Sequence, residues 1–158
     1  MWKKIKPYVI SVLFALAVGG LAAWLTMDSM DIYGSITQPA LAPPAWLFPV
    51  VWTVLYVLMG ISSTIVYTDK NASPKEKASA IKVYALQLIV NFFWSLIFFN
   101  LRNYLFAFIW LILLWVLILI MIVKFYKIRP VAGLLQIPYL LWVTFAGYLN
   151  LMIYLLNR

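Results

Sequence analysis

The sequence holds no cysteine and no histidine. The first absence excludes disulfides and thiol chemistry. The two together exclude the usual zinc sites, and the second removes histidine acid–base catalysis. Charge is scarce too: 10% of the 158 residues are charged, against about 25% in soluble domains. There is no phosphate-binding loop of Walker type, no internal repeat and no low-complexity tract. What is abundant is apolar. Hydrophobic residues make up 66% of the chain, and the mean hydropathy is +1.00. A core of this size cannot hide so much apolar surface from water, so lipid is the expected solvent for much of it.

Five apolar segments stand out, near 7–27, 45–67, 77–100, 104–123 and 132–157. Each reaches the roughly 20 residues a helix needs to cross a bilayer. The connections, 28–44, 68–76, 101–103 and 124–131, are too short for a second domain. The expected fold is therefore all-α and integral to the membrane: one domain over residues 1–158, a bundle of five transmembrane helices. The first segment also resembles a signal peptide, with "MWKKIK" ahead of the apolar run. It is longer than the ~7–15 residues of a signal h-region, which favours a retained helix. Ser11, Ala15, Gly19 and Ala23 recur every four residues along it, a small-residue face that lets helix backbones approach closely in lipid.

Numbering the helix ends alternately puts Lys3, Lys4, Lys6, Lys70, Lys75, Lys77, Lys82, Lys124, Lys127 and Arg129 on one side. Arg102 and Arg158 fall on the other. Basic residues concentrate in cytoplasmic loops, so the amino terminus is expected inside and the carboxyl terminus outside. The net charge of +8 is thereby read as topology, and no nucleic-acid partner is expected. No Asp, Glu, Lys or Arg lies mid-segment, whereas pumps and proton-coupled carriers keep ionisable groups at depth. Inverted-repeat transporters fit poorly with five helices and no repeat.

The chemistry that remains is aromatic and amide, and it falls in stripes. Pro49, Trp52, Tyr56, Gly60, Ser63 and Tyr67 share one face of the second segment by their spacing of three and four. Tyr84, Gln87, Asn91, Trp94 and Phe98 do so on the third, and Tyr139, Trp142, Ala146 and Asn150 on the fifth, where Pro138 predicts a kink. The fourth has no polar side chain after Tyr104 until Lys124 and reads as largely lipid-facing. Helix packing accounts for such stripes, since Asn and Gln hydrogen-bond across helices for about 0.6–2 kcal/mol. Interfacial belts account for Trp24, Trp46, Trp110 and Trp115. An aromatic-walled cavity with a few amides, the usual build of a small-molecule site, accounts for the stripes as well. The pattern alone leaves both readings open.

Three stretches carry a resemblance: "QPALAPPAWLFPVVWTVLYVLMG" from Gln38, "YALQLIVNFFWSLIFF" from Tyr84 and "LLQIPYLLWVTFAGYLNLMIYLLN" from Leu134. Together they resemble the translocator protein family, also called tryptophan-rich sensory proteins or peripheral benzodiazepine receptors. One departure is Gln38, where the family commonly has Lys. The resemblance implies a multi-pass protein, often dimeric, of a bacterial cytoplasmic membrane. It implies binding of porphyrins, sterols and benzodiazepine- or isoquinoline-type compounds, with no bound cofactor or metal. Carried over by motif, the ligand walls are Trp52, Tyr56, Gln87, Asn91, Trp94, Trp142, Phe145 and Ala146, under a loop stiffened by Pro43 and Pro44 and followed by Trp46. Two other activities attach to the resemblance. One is light-dependent porphyrin breakdown, with Trp52 and Trp142 as the implicated tryptophans. The other is transport of tetrapyrroles or sterols. A loose sterol-contact pattern also occurs at Leu151, Tyr154 and Arg158, and again at Val123, Tyr126 and Arg129.

Overall fold

A computed structural model describes residues 1–29 and 31–158; residue 30, within the predicted 28–44 loop, lies outside the described residues. The chain forms α1 (Trp2–Thr26), α2 (Ile32–Ser35), α3 (Leu47–Tyr67), α4 (Pro74–Ser95), α5 (Tyr104–Ile128), α6 (Pro130–Leu134) and α7 (Ile137–Leu156). A 3-10 turn, Met27–Ser29, extends α1, and a π turn, Leu96–Asn100, extends α4. Among the described residues, five spans are long and apolar enough to cross a membrane: Trp2–Ser29, Leu47–Tyr67, Pro74–Asn100, Tyr104–Ile128 and Pro130–Leu156.

Helix ends follow local chemistry. α4 begins at a serine N-cap: the Ser73 hydroxyl accepts from the Glu76 amide at 3.1 Å, with Pro74 in the first turn. α5 begins where the Asn103 side chain accepts from the Phe106 amide at 3.1 Å. It runs past the expected end near 123 because Lys124 and Lys127 extend from a helix as readily as from a loop. It stops at Arg129, whose extended backbone is what a residue before proline prefers. α1 starts ahead of Pro7, since a proline near the helix start forfeits one backbone bond. The expected kink at Pro138 is corrected. The break lies upstream at 135–136, and Pro138 sits in the first turn of α7, where its missing N–H costs nothing.

α1 packs along α3, α4 along α5, and α5 along α7. The α1–α3 contact uses the small-residue face. Ala15 is fully buried, Gly19 lies against the Tyr56 ring, and Gly60 lies against the Val12 backbone. Ala23 departs from that face: it is exposed, and Ala22 and Thr26 are buried instead. α5 is not merely lipid-facing. Ala107, Leu111, Leu114, Ile118, Met121 and Phe125 form a buried stripe between α4 and α7. Two tryptophans expected to belong to an interfacial belt tie α5 to its neighbours: Trp110 Nε1 donates to the Val90 carbonyl at 2.7 Å, and Trp115 Nε1 to Thr144 Oγ1 at 2.8 Å.

One end of the bundle is fastened by Asp69. Its carboxylate accepts from the Asn71 and Ala72 amides at 2.8 and 2.9 Å, and from Arg129 Nε and Nη2 at 3.2 and 3.0 Å. Those amides first, and then the guanidinium, hold the Asp69 carboxyl below the usual carboxylate range. A depressed folded-state pKa means a contribution fully present above the unfolded value, about 3.9, and lost as pH falls through the lower folded value. The melting temperature in detergent should therefore drop with acidification below about pH 4. Asp69→Asn should melt lower at neutral pH and show a flatter acid limb. Identical curves for the two proteins would remove Asp69 from the account.

Candidate ligand site

The aromatic and amide stripes meet in the bundle, but they do not form one chamber. Tyr139, almost fully buried, is the hub of the first cluster. Its hydroxyl donates to Gln87 Oε1 at 2.7 Å and accepts from Asn91 Nδ2 at 2.9 Å. Asn91 Nδ2 also lies 3.4 Å from the Tyr56 hydroxyl. Trp52 covers this group, with ring centroids 5.7 Å from Tyr56 and 6.2 Å from Tyr139. Helical spacing puts Trp52 and Tyr56 one turn apart on α3, and Gln87 and Asn91 one turn apart on α4. The amides and phenols thus satisfy one another, as buried polar groups must.

Trp142 belongs to a second cluster. Its ring lies 5.8 Å from Phe48 and 5.8 Å from Phe145, and Phe48 in turn meets Tyr33 edge-on at 5.1 Å. Beside it, a groove of about 460 Å³ lies between α3 and α7. Val50, Val51, Val54 and Leu55 form one wall; Pro138, Leu141, Trp142 and Phe145 form the other. Trp142 is the one wall residue whose side chain carries a polar atom. Its indole nitrogen is buried and has no hydrogen-bond partner, as is true of the Tyr84 hydroxyl and the Gln136 side-chain amide. The N–H groups of Trp94, Trp110 and Trp115 are all paired.

Of the expected walls, Trp52, Tyr56, Gln87 and Asn91 come together around Tyr139, and Trp142 and Phe145 line the groove. Trp94 lies elsewhere. It stacks on Phe98 at 5.3 Å and donates to Asn150 Oδ1 at 3.1 Å. Ala146 is buried in the core and does not line the groove. In the loop, the Pro43 carbonyl accepts from the Tyr33 hydroxyl at 2.8 Å, while Pro44 and Trp46 are exposed. Leu151 and Tyr154 are half-buried near the end of α7, and Arg158 is exposed. In the second sterol-type pattern Val123 and Tyr126 are exposed, and the Arg129 guanidinium is engaged by Asp69. Sequence reasoning left Tyr139 out of the walls although it stood on the right stripe. It had no signal at all for Phe48 or for the valines and leucines of the groove.

A family model described as TspO/MBR family matches residues 11–156. The chain is 34% identical over 158 residues to the tryptophan-rich protein TspO of Chlorobaculum tepidum, covering 99% of each. It is 39% identical over 126 residues to the protein CrtK of Rhodobacter capsulatus, covering 79% of this chain and 78% of that one. It is 31% identical over 148 residues to the translocator protein of Bos taurus, covering 91% and 88%.

Proposed function

The chain belongs to the TspO/MBR family of membrane proteins, and we propose that it is a membrane receptor for planar hydrophobic ligands, porphyrins first among them, held between α3 and α7. One observation carries the reading. Trp142 lines an otherwise apolar groove while its buried indole N–H has no partner, and a ligand can bring the acceptor it lacks. Unpaired buried donors cost about 1–3 kcal/mol, so a ligand oxygen or nitrogen placed against Trp142 relieves a standing penalty. Flat π-systems stack well on the neighbouring Trp142 and Phe145 rings. Benzodiazepine- and isoquinoline-type compounds carry the same combination of flat rings and acceptors.

Haem iron in proteins is usually held by His, Cys, Met or Tyr, and the first two do not occur in this chain. Porphyrin is therefore expected to bind by its face. Purified protein in lipid nanodiscs, titrated with protoporphyrin IX with and without iron, should bind both saturably and with affinities within about tenfold. Absence of saturable binding overturns the receptor reading. A much tighter iron complex with an axial-ligand spectrum overturns the face-on mode.

We further propose that the amino terminus is cytoplasmic, because ten of the twelve basic residues gather at that end. Single cysteines at Lys75 and Asp31 test this in a chain that has none of its own. On intact cells, an impermeant maleimide should label position 31 and spare position 75. The reverse result inverts the topology.

A further inference from the structure

We propose that the occupant of the groove reaches it sideways, from the bilayer interior through the gap between α3 and α7, and not from the water past the loop joining α1 to α3. The inference rests on the receptor reading and adds the route. The gap is closed at both ends and open between them. At one end the Ser62 hydroxyl donates to the Ala132 carbonyl at 2.7 Å. At the other end the loop is bound to α7: Asn157 accepts from the Thr37 amide and donates to the Thr37 carbonyl, each at 2.9 Å, and Tyr148 donates to the Ala40 carbonyl at 2.8 Å. Within the loop, Gln38 Nε2 donates to the Tyr33 carbonyl at 2.6 Å and Tyr33 to the Pro43 carbonyl at 2.8 Å. Entry from water breaks several of these bonds together. Entry between the helices breaks none of them.

The lateral rim is made of Val50, Val54 and Leu141, which are 52%, 53% and 64% exposed. They sit within spans that face lipid, and their side chains move by rotamer change alone. A flat apolar molecule concentrates in the bilayer, where this rim is. Leu55 and Trp142 lie beyond the rim, the latter with its free donor. The path thus leads from lipid to Trp142, whose indole nitrogen has no partner of its own.

Single cysteines at Val54, Leu141, Leu41 and Ile112 separate the routes. Leu41 is 80% exposed in the loop, and Ile112 is 50% exposed on α5. Each variant is reconstituted in nanodiscs and reacted with a bulky maleimide, either before or after loading with iron-free protoporphyrin IX. Labelling at Val54 or Leu141 should slow both association and release by roughly tenfold or more, with little change in affinity, as a blocked gate does. Labelling at Leu41 or Ile112 should change neither rate. Slowing at Leu41 with normal rates at Val54 and Leu141 overturns the lateral route, as do unchanged rates at all four. Weakened affinity with an unchanged release rate also overturns it, because the label then competes for the site itself. Unlabelled variants that bind no porphyrin bring down the receptor reading and the route with it.

Discussion

Trp142→Ala should lower the affinity for iron-free protoporphyrin IX by roughly thirtyfold to a thousandfold, the range of about 2–4 kcal/mol expected when a central aromatic anchor is truncated. Three losses add up. The ligand loses a ring to stack on, it loses the indole donor, and the groove loses one wall between Phe48 and Phe145. Trp142→Phe keeps a ring and removes the donor, so it should cost roughly threefold to tenfold, the size of one net hydrogen bond of about 0.5–1.5 kcal/mol. Stability moves the other way for this pair. Removing an unpartnered N–H relieves the free protein, so Trp142→Phe should melt at or above the wild-type temperature while binding more weakly. A packing role alone does not produce that opposition. If Trp142→Phe binds porphyrin as well as the wild type, the indole donor has no part in recognition.

Suitable controls follow from the other tryptophans. Trp110 and Trp115 each hold a partner on another helix, so their replacement disturbs the bundle and confuses a binding measurement. Trp24 and Trp46 are each 66% exposed, and Phe at either position should leave both affinity and melting unchanged. Trp52→Phe tests the first cluster, since Trp52 covers Tyr56 and Tyr139 rather than the groove.

The spans were legible because hydropathy over some twenty residues has few other causes. Their ends were less so, although part of the signal was written in the chain. The Ser73 cap and the Arg129-Pro130 stop both follow from local rules and both moved a boundary. Periodicity also gave the faces that bear Trp52, Tyr56, Gln87 and Asn91. It could not give partners. Spacing places Trp94 on the same face as Asn91, yet the indole pairs with Asn150 near the loop end while Asn91 pairs with Tyr139 at depth. The groove was invisible for a different reason. Its valines and leucines are indistinguishable from those that merely face lipid, and what gathers them into a groove is the meeting of two helices far apart in sequence.

Gly60→Ala, a single added methyl group, should be the most destabilising small substitution in the bundle. A Cβ there would lie 2.5 Å from the Val12 Cα and 2.7 Å from the Val12 nitrogen. Those are backbone atoms of α1, and they cannot rotate away. Relief requires α1 and α3 to separate, along a contact that runs through Ala15 and Gly19. Overpacked sites usually cost about 1–3 kcal/mol, and a clash with backbone belongs at or above the top of that range. Gly19→Ala meets a softer neighbour, the Tyr56 ring, but that ring stands over Asn91 and under Trp52. Its displacement should therefore cost less stability than Gly60→Ala and still perturb the aromatic cluster. Gly20 supplies the contrast within one helix. Nothing lies within 4 Å of a Cβ there, so Gly20→Ala should gain up to about 1 kcal/mol from helix propensity. Thermal unfolding in detergent orders the three: Gly60→Ala lowest, Gly19→Ala intermediate, Gly20→Ala at or above wild type. If Gly60→Ala melts with Gly20→Ala, α1 and α3 do not meet at Val12, and the helix arrangement that sets the width of the α3–α7 groove must be redrawn.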